Sequence, residues 1–218
     1  MNFETPKIVL FDLDGTLADN FDAITKTAAY ALGKLNLPPP TRKQIMGAVG
    51  GSILLTMRNL AGEELAETAA KIYAEKADEY ATFGLRAMPG ARELLETLRK
   101  KNIRAACFTN KDEKVAQKVL GHIGLLEFLD AVIGTTLNGP RKPMPEFTRA
   151  ALEKLGAKAQ EAVIIGDSKF DYLAGQNSSI RTILVATGND CAETLRTICP
   201  NAFAVCENMA EIEGKFFS

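Results

Sequence analysis

The 218-residue chain balances 26 basic against 27 acidic side chains, for a net charge of −1, and 46% of its residues are hydrophobic. That composition excludes global disorder, and the lack of any Lys/Arg block argues against nucleic acid as the main partner. No segment reads as a signal peptide, and no apolar run is long enough to span a bilayer, so a cytoplasmic protein without membrane partners is expected.

In chain order, the apolar run Lys7–Phe11 predicts a first strand, which leads directly into Asp12-Leu13-Asp14-Gly15-Thr16-Leu17. From Asn20 to about Gly84 only helical patterning follows. Ala28, Ala31, Leu32 and Leu35 share one face, and Leu65, Ala69, Ile72, Tyr73 and Lys76 repeat a similar period. Pro38-Pro39-Pro40 stops the first of these helices, and Thr41 is placed to cap the next. After Met88-Pro89-Gly90 the pattern alternates. Strands are expected at Arg104–Phe108, Ala131–Ile133, Ala162–Ile165, Thr182–Val185 and Ala202–Val205. Helices are expected at Gly90–Lys101, Lys111–Ile123, Glu146–Leu155, Lys169–Gln176, Cys191–Arg196 and shortly after Asn208. Such alternation implies a parallel sheet with right-handed crossovers and helices on both faces. The fold class is therefore α/β, a Rossmann-like parallel sheet with an inserted all-helical segment. Residues 1–17 and 85–218 are assigned to the core and 18–84 to the insertion, with hinges near Leu17–Asn20 and Gly84–Pro89. An insertion just after the first strand sits over the carboxyl edge of the sheet, where open α/β sheets bind ligands.

Three of these strands end in polar residues. Asp12 and Asp14 follow the first, Thr109-Asn110 the second, and Gly166-Asp167-Ser168 with Asp171 the fourth. In a parallel sheet these ends share one edge, so groups distant in sequence can converge. Lys142, stiffened by Pro143 and Pro145, precedes a helix and supplies a cation. Each piece has a bland account alone: a turn, a helix cap at Thr109-Asn110, a solvated Lys142, an Asp171 on an exposed helix. Their order and common edge favour a cation-assisted phosphoryl-transfer site. The four cysteines (Cys107, Cys191, Cys199, Cys206) form no C-x-x-C pair and read as reduced packing residues; the single histidine, His122, reads as a surface residue. Zinc sites and histidine-based nucleophile triads have little to build on.

On these motifs the chain resembles the haloacid dehalogenase superfamily, and within it the phosphoglycolate-phosphatase-like members with a helical C1-type cap. Phe11 to Leu17 resembles the first motif, Thr109-Asn110-Lys111 the second, Lys142-Pro143-Met144-Pro145-Glu146 the third, and Gly166-Asp167-Ser168 with Asp171 the fourth. The resemblance implies a nucleophilic Asp12 that becomes an aspartyl phosphate, with Asp14 as general acid and then base. It implies Mg²⁺ held by the Asp12 carboxylate, the Asp14 carbonyl and Asp167, with Asp171 in support. Thr109, Asn110 and Lys142 would meet the substrate, a small phosphorylated metabolite such as phosphoglycolate, in a monomer or homodimer. Asp14 argues against the dehalogenase and phosphonatase branches, and Thr16 looks hydrolytic rather than mutase-like. The alternatives are a β-phosphoglucomutase-like phosphomutase, a pyrophosphatase, or a non-catalytic metabolite-binding module. In the cap, Gly47-Ala48-Val49-Gly50-Gly51 reads either as a specificity segment or as a simple turn. Arg42, Lys43 and Arg58 read either as anion contacts or as a solvated face.

Overall fold

In the computed structural model, which describes residues 3–218, the apolar run after Lys7 is strand β1 (Ile8–Phe11), buried along its whole length. Then come β2 (Ala18–Asp19), α1 (Phe21–Lys34), α2 (Arg42–Ala48), α3 (Ile53–Ala61), α4 (Ala66–Tyr80) and β3 (Arg86–Ala87). The alternating part follows as α5 (Ala91–Lys100), β4 (Arg104–Asp112), α6 (Glu113–His122), β5 (Ala131–Thr135), α7 (Pro145–Leu155) and β6 (Ala162–Gly166). It closes with α8 (Lys169–Ser178), β7 (Arg181–Val185), α9 (Ala192–Ile198), β8 (Ala204–Cys206) and α10 (Met209–Ile212).

Six strands form one parallel sheet in the order β5-β4-β1-β6-β7-β8. Side chains alternate across β1, so Val9 and Phe11 pack with Leu94, Leu98, Cys107 and Val119 on one face. Ile8 and Leu10 pack with Phe108, Phe147 and Ala151 on the other. The expected α/β class is the one observed. Chain order reverses direction at β1, which makes its carboxyl end a topological switch point.

Helices α1 to α4 gather their own apolar cluster, in which Ala28, Ala31, Ala69 and Ala70 let helices approach closely around Ile45, Met57 and Tyr73. Asn36 takes a left-handed conformation just after α1, and three prolines follow it. Thr41 caps α2 in a reciprocal box with Gln44. The chain leaves and re-enters the core through β2 and β3, which pair antiparallel at Ala18↔Ala87 and Asp19↔Arg86.

Several boundaries differ from the sequence reading. Strand β4 runs on to Asp112, and Asp112 rather than Thr109-Asn110 caps α6, by accepting from Lys114 N and Val115 N. The short β2–β3 pair was not expected. Cys107, Cys199 and Cys206 are buried as expected, but Cys191 is exposed. His122 is exposed. Among the described residues, no helix is long and apolar enough to cross a membrane.

Candidate active site

Strand β1 delivers Asp12 to the carboxyl edge of the sheet, where it is only 5% exposed. The chain then turns at Gly15, whose φ of +86° an L side chain rarely adopts. A Cβ there would also fall 2.6 Å from Asp167 Oδ2. Thr16 Oγ1 donates to Asp167 Oδ1 at 3.1 Å, and Thr187 Oγ1 donates to the Gly15 carbonyl at 2.6 Å. Gly188 is the tightest neighbour of all, since a Cβ on it would lie 1.8 Å from Asp167 Oδ2.

Lys142 is not a solvated loop residue. It is 2% exposed, and its Nζ donates to Asp12 Oδ1 and to Asp171 Oδ1, each at 2.7 Å. Asp171 is fully buried rather than on an exposed face, and its other oxygen accepts from Ser168 Oγ at 2.7 Å and Ser168 N at 3.2 Å. That reciprocal box caps α8, so helix stability and site geometry depend on the same contacts. Asn110 braces the arrangement. Its Oδ1 accepts from Lys142 N at 2.7 Å, while its Nδ2 donates to the carbonyls of Lys142 (3.1 Å) and Gly50 (3.0 Å). Thr109, 2% exposed, accepts from Lys111 N at 3.2 Å and lines the cavity above the sheet edge.

The carboxylates divide into two groups. Oxygens of Asp12, Asp167 and Asp171 all lie within 4.8 Å of one another. Asp14 turns its side chain elsewhere, to Lys111 Nζ at 2.9 Å and Asn20 Nδ2 at 2.5 Å. Burial, reinforced by Asp171 and Asp14 and opposed by Lys142, pushes the Asp12 carboxyl up to about 6. Burial and the charges of Asp12 and Asp171 push Asp167 well above its ordinary value. Burial alone would depress Lys142, but Asp12 and Asp171 outweigh it and hold the ammonium above its usual range. Three close buried carboxylates against one lysine leave negative charge in excess, and their hard oxygens suit a cation such as Mg²⁺. The residues present therefore fit a divalent metal.

Sequence reasoning places Lys111 and Ser168 within motifs and Asn20 within a hinge but gives them no role in the site, and it passes over the Thr187-Gly188 pair. Thr187-Gly188 carries the signal that exposed the others, polar residues just past a strand end. Ser168-x-x-Asp171 carries a capping-box spacing. The partners of Lys111 and Asn20 are set by how the helical segment docks, which leaves no local signal.

Above the sheet edge lies a cavity of about 70 Å³, walled by Asp12, Asp14, Thr109 and Lys111 below and by α1, α3 and α4 above. The Gly50-Gly51 segment closes one side. It contacts Asn110 through the Gly50 carbonyl and lies against the Phe170 ring.

A sequence profile described as haloacid dehalogenase-like hydrolase matches residues 9–185. A phosphoglycolate phosphatase from Aquifex aeolicus is 31% identical over 186 residues, covering 84% of this chain and 85% of that one. Tyrosine-protein kinase PtkA from Mycobacterium tuberculosis is 30% identical over 210 residues, covering 94% and 72%. A crystal structure described as a predicted phosphatase from Clostridium acetobutylicum superposes with a TM-score of 0.88 at 26% identity, covering 97% and 98%.

Proposed function

Since the chain belongs to the haloacid dehalogenase-like hydrolase family, we propose that it is a cytoplasmic, Mg²⁺-dependent phosphatase of small phosphomonoesters that works through an aspartyl phosphate. The observation that carries this reading is the buried Asp12 carboxylate, held 2.7 Å from Lys142 Nζ and facing the cavity. A carboxylate approaching a phosphate dianion is repelled, and a fixed ammonium at the nucleophile lowers that repulsion.

In the first half-reaction an Asp12 oxygen forms a bond to phosphorus as the bond to the ester oxygen breaks. Asp14 gives its proton to the departing oxygen. In the second, Asp14 takes a proton from water, the water oxygen bonds to phosphorus, and Asp12 leaves as a carboxylate with release of inorganic phosphate. Asp12, Asp167 and the Asp14 carbonyl would hold the metal, with Asp171 in support, and the ion supplies positive charge to the phosphoryl oxygens. Thr109 offers a hydroxyl to the phosphate. Asn110, whose N–H groups and oxygen already meet backbone, keeps Lys142 in place. The helical segment acts as a cap that excludes bulk water and opens at β2 and β3 to release product.

The relatives' names differ in the phosphoryl acceptor, water for a phosphatase and a hydroxyl for a kinase. Assay of inorganic phosphate released from a panel of phosphomonoesters, with phosphoglycolate as reference compound, tests the reading. Wild-type protein with Mg²⁺ should turn over at least one ester, EDTA should silence it, and Asp12→Asn should abolish turnover. Undiminished hydrolysis by Asp12→Asn, or phosphate transferred only to hydroxyl acceptors, would overturn it.

A further inference from the structure

Resting on the phosphatase reading, one side chain at the entrance to the cap does something its place in the fold does not call for. Asn20 follows β2 directly and is the N-cap residue of α1. Asparagine is among the strongest N-caps, because its Oδ1 accepts from first-turn N–H groups. Asn20 makes no such bond. The next two cap helices show what is forgone: Thr41 accepts from Gln44 N at the start of α2, and Ser52 accepts from Leu55 N at 3.0 Å at the start of α3.

The amide is turned toward the core instead. Asn20 is 1% exposed, and its Nδ2 donates to Asp14 Oδ1 at 2.5 Å. Among the described residues nothing donates to its buried Oδ1. An uncapped helix start and a buried acceptor without a donor both disfavour the fold, and the bond to Asp14 is what the arrangement gains. Asp14 is thereby held from two sides. Lys111 Nζ meets its Oδ2 at 2.9 Å from the end of β4, and Asn20 meets its Oδ1 from the entrance of the cap. Two donors occupy two of the roughly four lone-pair positions of a carboxylate, so the group is oriented yet free to exchange a proton. Asp12, Asp14, Asn20 and Lys111 all line one cavity.

We propose that Asn20 is a positioning residue for Asp14 and gives up the cap of α1 to fill that role. It fixes the carboxyl group beside the cavity, so that when the bond from phosphorus to the ester oxygen breaks, the electron pair left on that oxygen takes the Asp14 proton. The test uses leaving groups that differ in their need for that proton. An alkoxide needs it, whereas p-nitrophenolate departs without it, and kcat/KM reports the steps up to departure. Asn20→Ala should lower kcat/KM about tenfold or more for the best alkyl ester of the panel, while kcat/KM for p-nitrophenyl phosphate stays close to that of the wild type. Asn20→Ser has a hydroxyl that can cap α1 but is one bond shorter than the amide that meets Asp14. It should show the same selective loss, and it covers the case in which Asn20→Ala fails to fold. Equal losses on both esters, no loss on the alkyl ester, or full alkyl-ester turnover in Asn20→Ser overturns the assignment of Asn20 and leaves the phosphatase reading standing. Failure of wild-type protein to hydrolyse any ester with Mg²⁺ overturns the phosphatase reading instead.

Discussion

The two walls of the cavity are built from opposite materials. Below, at the sheet edge, Asp12, Lys142, Asp167 and Asp171 are each no more than 8% exposed, and each is held by a hydrogen bond to another member or to a neighbouring hydroxyl. Above, the helices turn apolar side chains inward, and charged groups such as Arg42, Arg58 and Glu63 pair away from the cavity. Buried charges stand or fall together, because removing one leaves the others unpaired. Apolar walls depend on area and shape, and they tolerate exchange of similar residues. Under the proposed function, the chemistry would belong to a part of the molecule that cannot vary singly, and selection to a part that can.

The largest break in this comparison should come from Lys142→Met. It removes the cation shared by Asp12 and Asp171, and loss of one partner from a buried pair costs about 3–5 kcal/mol. Denaturant unfolding in EDTA should show that loss, and Mg²⁺ should restore part of it by replacing the missing positive charge. A loss below about 1 kcal/mol, the size of an exposed pair, would mean that the lower wall is not a mutually dependent cluster.

Acid should separate the two regions by sign. With Asp12 raised from 3.8 to about 6, chiefly by burial, the folded metal-free core keeps protons that the unfolded chain has released. Its contribution to stability is full below about pH 3.8 and is lost as pH rises through about 6; Asp167 acts in the same direction. At the base of the cap, burial pushes Asp19 upward, but hydrogen bonds from Arg42 and Arg86 outweigh it and hold the carboxyl below its ordinary value. That contribution is present above the unfolded value of 3.8 and fades as pH falls through the lower folded one. EDTA-treated protein should therefore melt higher at pH 5 than at pH 7, and Mg²⁺ should shrink the difference. Hydrogen exchange in α1 and α2 should not follow that trend. A melting temperature in EDTA that rises from pH 5 to pH 7 would contradict the burial argument for Asp12.

The lower wall was far more legible in the sequence than the upper one, for a physical reason. Asp12, Thr109 and Asp167 each follow a buried apolar run, and parallel strands bring their ends to one edge whatever the loops between them do. Lys142 and Asp171 required only that the same edge be crowded enough to bury them. The extent of β4 was not legible. Thr109 to Asp112 is polar, and the strand persists because β5 runs alongside, with Asp112 opposite Thr135 after an irregularity in register. The β2–β3 pair is two residues on each side and joins segments separated by the whole cap, so neither strand shows an alternation to detect. The Lys111–Asp14 pair and the emptiness of the upper wall in free cations depend on how helices dock, which side-chain periodicity does not encode.

The smallest expected effect tests whether the upper wall behaves as an ordinary packed helical layer. Thr41 lies on the outer side of the cap, where its hydroxyl accepts from Gln44 N at 3.3 Å while its own N–H donates to Gln44 Oε1 at 2.9 Å. Thr41→Ala leaves one first-turn N–H of α2 without its capping partner, a loss of about 1 kcal/mol. Thr41 is absent from the cavity lining, and nothing in the buried charge cluster touches it. The variant should therefore melt a few degrees lower in EDTA and in Mg²⁺ alike, by the same amount at pH 5 and pH 7. A loss that vanished when Mg²⁺ was added would show the cap to be coupled to the charged wall, and the division of labour between the two would then have to be given up.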